Sequence, residues 1–180
     1  MKKFFALILC LVMVLSMVAC GATEEDASEK DTNEASAEPS TEPTTEAKTY
    51  PGDEMSLTEI LDGIYEGYSE ELPMLMTTPI EDAETFKWTA FADYAEGYEA
   101  AVSEPMIGSI AHSVVLVRVP EGTDVESVRA EIEQNHNPRK WVCVEAEKTA
   151  VVAHNNTILL VMSTEALADV VLANFDALWA

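Results

Sequence analysis

Apolar positions fall along this chain in three regimes. Residues 4–18 are almost continuously apolar, with only Cys10 and Ser16 intervening, whereas residues 22–49 contain no aromatic or branched aliphatic residue at all. Past residue 50 the pattern becomes periodic, and folded elements are expected there.

Ser56-Leu57-Thr58-Glu59 is a capping box, with Ser56 as N-cap and Glu59 placed to reach back to it. Leu57, Ile60, Leu61, Ile64, Tyr65 and Tyr68 then share one helical face, so a helix is predicted that Gly63 and Gly67 weaken and Pro73 ends. Residues 98–103 alternate, and residues 113–119 form a denser β-branched run. The two read as antiparallel strands joined through Pro105 and Gly108.

Thr123-Asp124-Val125-Glu126 is a second capping box, opening a helix to about Asn135 on Val125, Val128 and Ile132. Pro138 breaks it. Residues 139–147 read as a short helix or an irregular link that buries Trp141 and Val144. Residues 149–153 and 157–162 flank Asn155-Asn156 as a hairpin, the second strand central, and Ser163 caps a last helix through Leu167, Val170, Val171, Phe175 and Leu178. This order predicts an α+β domain with a mainly antiparallel four-stranded sheet and about three helices packed on one face. Residues 74–96 follow no single period. Their Met and aromatic residues read as core, with an adaptable ligand groove as the alternative.

The first regime changes the picture from fold to location. Lys2 and Lys3 precede an apolar run too short for a bilayer span of about 20 residues, and an acidic tract follows it. This is the form of an export signal. Its end, Met17-Val18-Ala19-Cys20-Gly21, resembles the lipobox of bacterial lipoproteins, with Met17 where that family usually has Leu. The resemblance implies cleavage between Ala19 and Cys20 and a diacylglyceryl thioether on Cys20. Two acyl chains hold a protein stably at a membrane, where one binds only marginally. The expected organisation is a signal peptide over 1–19, a lipidated Cys20 opening a disordered acidic tether over 20–50, and one domain over 51–180. A flexible tether of this length spans roughly 30 Å, and its acids extend it further.

The chain has 33 acidic and 10 basic residues, for a net charge of −23. Loss of residues 1–19 removes Lys2 and Lys3 and no acid, giving −25. Such a field disfavours nucleic acid and anionic lipid or substrate, and favours no particular cation by itself. With Cys10 lost with the signal and Cys20 lipidated, Cys143 is the only thiol left, so no internal disulfide can form, and Cys143 reads as a small buried hydrophobe.

Catalytic signatures are missing: there is no phosphate-binding glycine loop, no H-E-x-x-H and no Gly-x-Ser-x-Gly. His112, His136 and His154 are too scattered for a metal-ligand spacing, so no metal site and no cofactor is expected, and each reads as structural or surface. The acid pairs Glu81-Asp82 and Glu145/Glu147 read as solvated surface. Basic residues are scarce beyond residue 50, which singles out Lys87 and Arg118, and Arg118, on an apolar strand, is expected to pair with a carboxylate at a sheet edge, with ligand capture as the alternative.

A second resemblance rests on Arg139-Lys140-Trp141-Val142-Cys143-Val144-Glu145-Ala146-Glu147-Lys148 and on residues 156–163, following the lipobox and tether. Over residues 57–178 the chain is similar to a family of small uncharacterised lipoproteins of clostridia-type Gram-positive bacteria, which carry a domain of unknown function. It implies a surface location and transfers no site residues. Together these features lead to the expectation of a non-enzymatic, lipid-anchored extracytoplasmic domain that binds a protein or envelope component. The alternative is capture of a small ligand or cation near residues 74–94 for delivery to a membrane partner. An envelope hydrolase using carboxylates is the least favoured reading.

Overall fold

A computed structural model of the chain describes residues 48–180. In chain order these form α1 (Pro51–Glu54), α2 (Leu57–Gly63), β1 (Leu75–Ile80), α3 (Ala83–Ala90), β2 (Glu99–Pro105), β3 (Ser113–Arg118), α4 (Val125–Asn135), β4 (Lys148–His154), β5 (Thr157–Ser163) and α5 (Glu165–Ala177). The expected signal peptide, the cleavage point at Ala19 and Cys20, and most of the tether lie outside the described residues.

The fold class is α+β as expected, but the sheet has five strands, in the order β1-β2-β3-β5-β4, every neighbouring pair antiparallel. The strand beyond the expected four is β1. Pro79 within it argues against a strand in a sequence reading, and it is tolerated here because β1 is an edge.

There are five helices where about three were expected, and they cover both faces, which corrects the one-face expectation. Ile60, Leu61 and Ile64 of the α2 segment and Leu167, Val171 and Phe175 of α5 pack on Val114, Leu116, Leu159 and Val161. On the opposite face, Phe86 of α3 and Val128 and Ile132 of α4 pack on Val115, Val117, Ile158 and Leu160. Side chains alternate across a strand, so the unbroken apolar runs of β3 and β5 feed two cores at once.

Several boundaries move for identifiable reasons. The Ser56 capping box forms as expected, Glu59 N–H donating to Ser56 Oγ and Ser56 N–H to Glu59 Oε2. Helix α2 nevertheless stops at Gly63 and does not run to Pro73. Asn174 of α5 donates to the Ile64 and Glu66 carbonyls at 2.8 and 2.9 Å, replacing the bonds another turn would have made. Asp124, not Thr123, caps α4, since its carboxylate takes both the Ser127 N–H and the Ser127 hydroxyl. Thr164, not Ser163, caps α5, because Ser163 is still in β5 with its hydroxyl committed to His112. The Asn155-Asn156 hairpin is as expected, Asn155 supplying the positive φ of 49°.

Residues 139–147 are irregular rather than helical. Lys140 pins them, its ammonium pairing with Glu104 and bonding Ser113 Oγ at 3.0 Å. Trp141 is half-buried against the second core as expected, but Cys143 is exposed at φ 61°, which overturns the buried-thiol reading. No described helix is long and apolar enough to cross a membrane.

Candidate functional site

Two surface features and one buried network bring together the residues able to do chemistry or recognition. The first feature is an apolar patch at one end of the sheet. Met106 N–H donates to Met74 O at 3.3 Å, and Val142 N–H donates to Gly108 O at 3.1 Å. These two bonds gather the start of β1, the β2–β3 loop and the 139–147 segment. Met74 is 76 % exposed and Val142 71 %, and Met76, Met106 and Ile107 are exposed beside them. Large apolar side chains left in water at one place mark interaction surfaces.

The second feature is a cleft of about 470 Å³ between α3 and α4. Helix α3 ends at Phe91, held in the left-handed region at φ 60°, which turns the chain so that Asp93 returns toward Lys87. Lys87 Nζ lies 2.6 Å from Asp93 Oδ1, and Asp93 N–H donates to Glu131 Oε1 of α4 at 2.9 Å. Asp93 pushes the Lys87 pKa up. Trp88 stands on the opposite side of α3 from Phe86 and is 72 % exposed over the cleft. Asn135 and Asn137 complete the rim. The residue 74–96 segment is therefore divided: Phe86 is core, whereas Met74, Met76 and Trp88 face water, against the reading of the whole cluster as core. Their mixed period is the sequence trace of that division.

The buried network centres on His112, 2 % exposed. Its Nδ1 lies 2.8 Å from Ser163 Oγ and its Nε2 3.1 Å from Tyr65 OH. Burial pushes the His112 pKa down to about 4, against the charge of Glu104 and with that of Lys140. Burial likewise raises the Tyr65 phenol. A serine on a histidine nitrogen has the form of a nucleophile and its base. Ser163 is 1 % exposed, however, and the second ring nitrogen is occupied by Tyr65, so the arrangement is a satisfied polar link between the β3 and β5 ends and the α2 side.

The remaining candidates take structural roles. Arg118 lies on central β3, not at an edge, and pairs with no carboxylate among the described residues: its guanidinium donates to Gly52 O, Met55 O and Thr157 Oγ1 at 2.8, 2.9 and 3.0 Å. Asp82 caps α3, accepting Thr85 N–H at 2.8 Å, Glu145 pairs with Arg139, and Glu147 accepts Glu165 N–H. His154 stacks on Trp179 with ring planes 15° apart, its Nε2 2.8 Å from Asp176 Oδ1. His136 caps the end of α4. Among the described residues no group of three or more His, Cys, Asp or Glu is placed to hold a metal ion.

What fold and surface define is a five-stranded α+β domain with an apolar end patch and an aromatic, polar cleft on one helical layer. Comparison with family models, with curated proteins and with solved structures finds no match to this chain.

Proposed function

We propose that this chain is a lipid-anchored extracytoplasmic protein whose domain acts by binding, without catalysis, and docks an envelope protein on its apolar end patch. The observation that carries this reading is the gathering of Met74, Met106, Ile107 and Val142 from three separate segments into one exposed surface. Hydrophobic burial drives association, and flexible Met side chains adapt to a partner's relief. Anchoring rests on Lys2, Lys3, the apolar run and the Ala19-Cys20 lipobox, with the acidic tether setting the reach.

Two experiments test the two halves. Cys20→Ala should move the chain from a detergent-extracted membrane fraction to the soluble one, and retention in membranes overturns the anchor. A photo-cross-linker at Ile107 in intact cells should give one discrete adduct, absent with the probe at Glu121 and suppressed by Met106→Asp. The same adducts from both positions, or none from Ile107, overturn the docking surface.

The runner-up reading, capture of a small ligand near residues 74–94, is favoured by a different observation: the α3–α4 cleft takes Lys87, Trp88, Phe91 and Asp93 from that segment.

A further inference from the structure

We infer that the α3–α4 cleft is a binding site for a neutral carbohydrate, with the flat C–H face of a sugar ring lying on the Trp88 indole. The inference rests on the reading of this domain as a binding module and gives the cleft, as distinct from the apolar patch, its ligand class.

Three observations lead there. Trp88 is 72 % exposed although Phe86 and Ala90 of the same helix are buried in the second core, so α3 is packed through its other face and the indole is surplus to folding. An indole offers a broad apolar face with one N–H at its edge, suited to a ligand that is apolar on one face and hydroxylated around its rim. The cleft beneath has the size of an ordinary small-ligand pocket, about 470 Å³.

The polar rim decides between ligand classes. An anion needs an uncompensated positive charge, but here Lys87 is already paired with Asp93, while Glu131 keeps its charge with Oε1 taken by the Asp93 N–H. An anion additionally meets the field of a chain with net charge −23, and a cation, which that field and Glu131 attract, is the competing ligand that the choline and spermidine titrations test. What the cleft presents instead is a mixture of donors and acceptors: the Lys87 ammonium, the free lone pairs of Asp93 and Glu131, and the carboxamides of Asn135 and Asn137. The Asn135 side chain makes no hydrogen bond among the described residues, and Asn137 Oδ1 takes the Arg139 N–H, leaving its NH2 free to donate. Such a balanced set matches hydroxyl groups, each of which both donates and accepts.

The test uses the full chain in a polyoxyethylene detergent, which carries no sugar of its own. Binding is followed by isothermal titration calorimetry, which does not rely on Trp88 as the reporter, with tetra-N-acetylchitotetraose, cellotetraose, maltotetraose and xylotetraose, and separately with choline and spermidine. Saturable binding of at least one tetrasaccharide is expected, weakened ~10-fold or more by Trp88→Ala, about the loss of 1.4 kcal/mol or more, and also weakened by Asn135→Ala. Trp88→Ala should leave the thermal midpoint unchanged, because the indole is exposed. Silence with all four sugars at millimolar concentration, sugar binding that survives Trp88→Ala, or binding of choline or spermidine in their place each overturns the inference. The cross-link at Ile107 reports on a separate surface: its persistence with a silent sugar panel removes the carbohydrate site alone, and its loss with intact sugar binding removes the docking reading alone.

Discussion

Asp53 is the residue on which the N-terminal segment of the domain turns. Its carboxylate accepts the Trp179 Nε1–H at 2.8 Å, the Asn155 side chain at 2.8 and 3.0 Å, and the Tyr50 N–H at 3.1 Å. Desolvation raises its pKa, but these bonds, with Arg118 nearby, outweigh it and hold the carboxyl below its usual value. Beside it, Gly52 donates its N–H to Leu178 O and lies flat on the Trp179 ring, where a Cβ would come within 2.4 Å of the ring carbons. Gly52→Ala is expected to cost about 2 kcal/mol or more of stability in denaturant unfolding, since the obstacle is a packed aromatic ring. Gly63→Ala is the control: nothing lies within 4 Å of its Cβ, so it should be neutral or stabilising by up to about 1 kcal/mol. Equal losses at both positions would refute the close-approach explanation. Arg118→Lys should also destabilise, by about 2 kcal/mol, because an ammonium cannot span the Gly52, Met55 and Thr157 acceptors that the guanidinium fork reaches together.

His112 gives the residue scale its pH dependence. The unfolded chain protonates this ring near 6.5, while the folded domain holds it neutral down to about 4. Its contribution is therefore complete above pH 6.5 and is lost as pH falls through 4, amounting to about 3 kcal/mol across that window. Unfolding free energy measured from pH 7 to 4 should fall more steeply for the native chain than for His112→Gln. Parallel slopes would show that other groups carry the acid sensitivity.

At the scale of elements, the informative pieces are those whose geometry rests on a few identifiable tertiary contacts. The 139–147 segment has little regular structure of its own, and its geometry depends on Lys140, on the Ala146 N–H to Pro138 O bond at 2.9 Å, and on Trp141. Lys140→Ala should leave Glu104 without its cation and Ser113 Oγ without its donor. Amide exchange is then expected to quicken across residues 139–147 and the neighbouring Gly108 turn while α5 stays protected. Uniform quickening would place Lys140 in global stability instead. Strand β1 behaves differently: it is secured by its register with β2, Leu75 facing Pro105 through Ile80 facing Ala100, and Pro79 limits what its outer edge offers to another strand. The α2 boundary makes the same point about context, since Asn174, 110 residues from Ile64 in sequence, sets where that helix ends.

For the whole molecule, charge is the dominant fact. Residues 48–180 carry 24 Asp and Glu against seven Lys and Arg, and the described ion pairs are mostly exposed. Exposed pairs contribute roughly 0–1 kcal/mol each, so net repulsion should prevail over them. Raising NaCl from ~0.02 to ~0.5 M, which shortens the screening length several-fold, is expected to raise the unfolding midpoint. A falling midpoint would mean that the ion pairs outweigh the repulsion.

The sequence by itself determined the fold class, the Ser56 box, the hairpin at Asn155, the end of α4 at Asn135 and the two strands β3 and β5. In each case the deciding interaction is local: a side chain three residues from its partner, an asparagine tolerating positive φ, or a β-branched run. The density of apolar residues in β3 and β5 also held the signal for burial on both faces, which strict alternation would not have given. Tertiary structure alone decided the rest, because the contacts involved span distances in sequence that no periodicity encodes. It placed β1 at the edge, where Pro79 costs no ladder bond. It turned Trp88 outward over α4 while Phe86 went to the core, and it assembled the patch from Met74, Met106 and Val142. It also sent the Arg118 guanidinium to backbone carbonyls rather than to a carboxylate, because the chain that supplies them returns to β3 from more than 60 residues away.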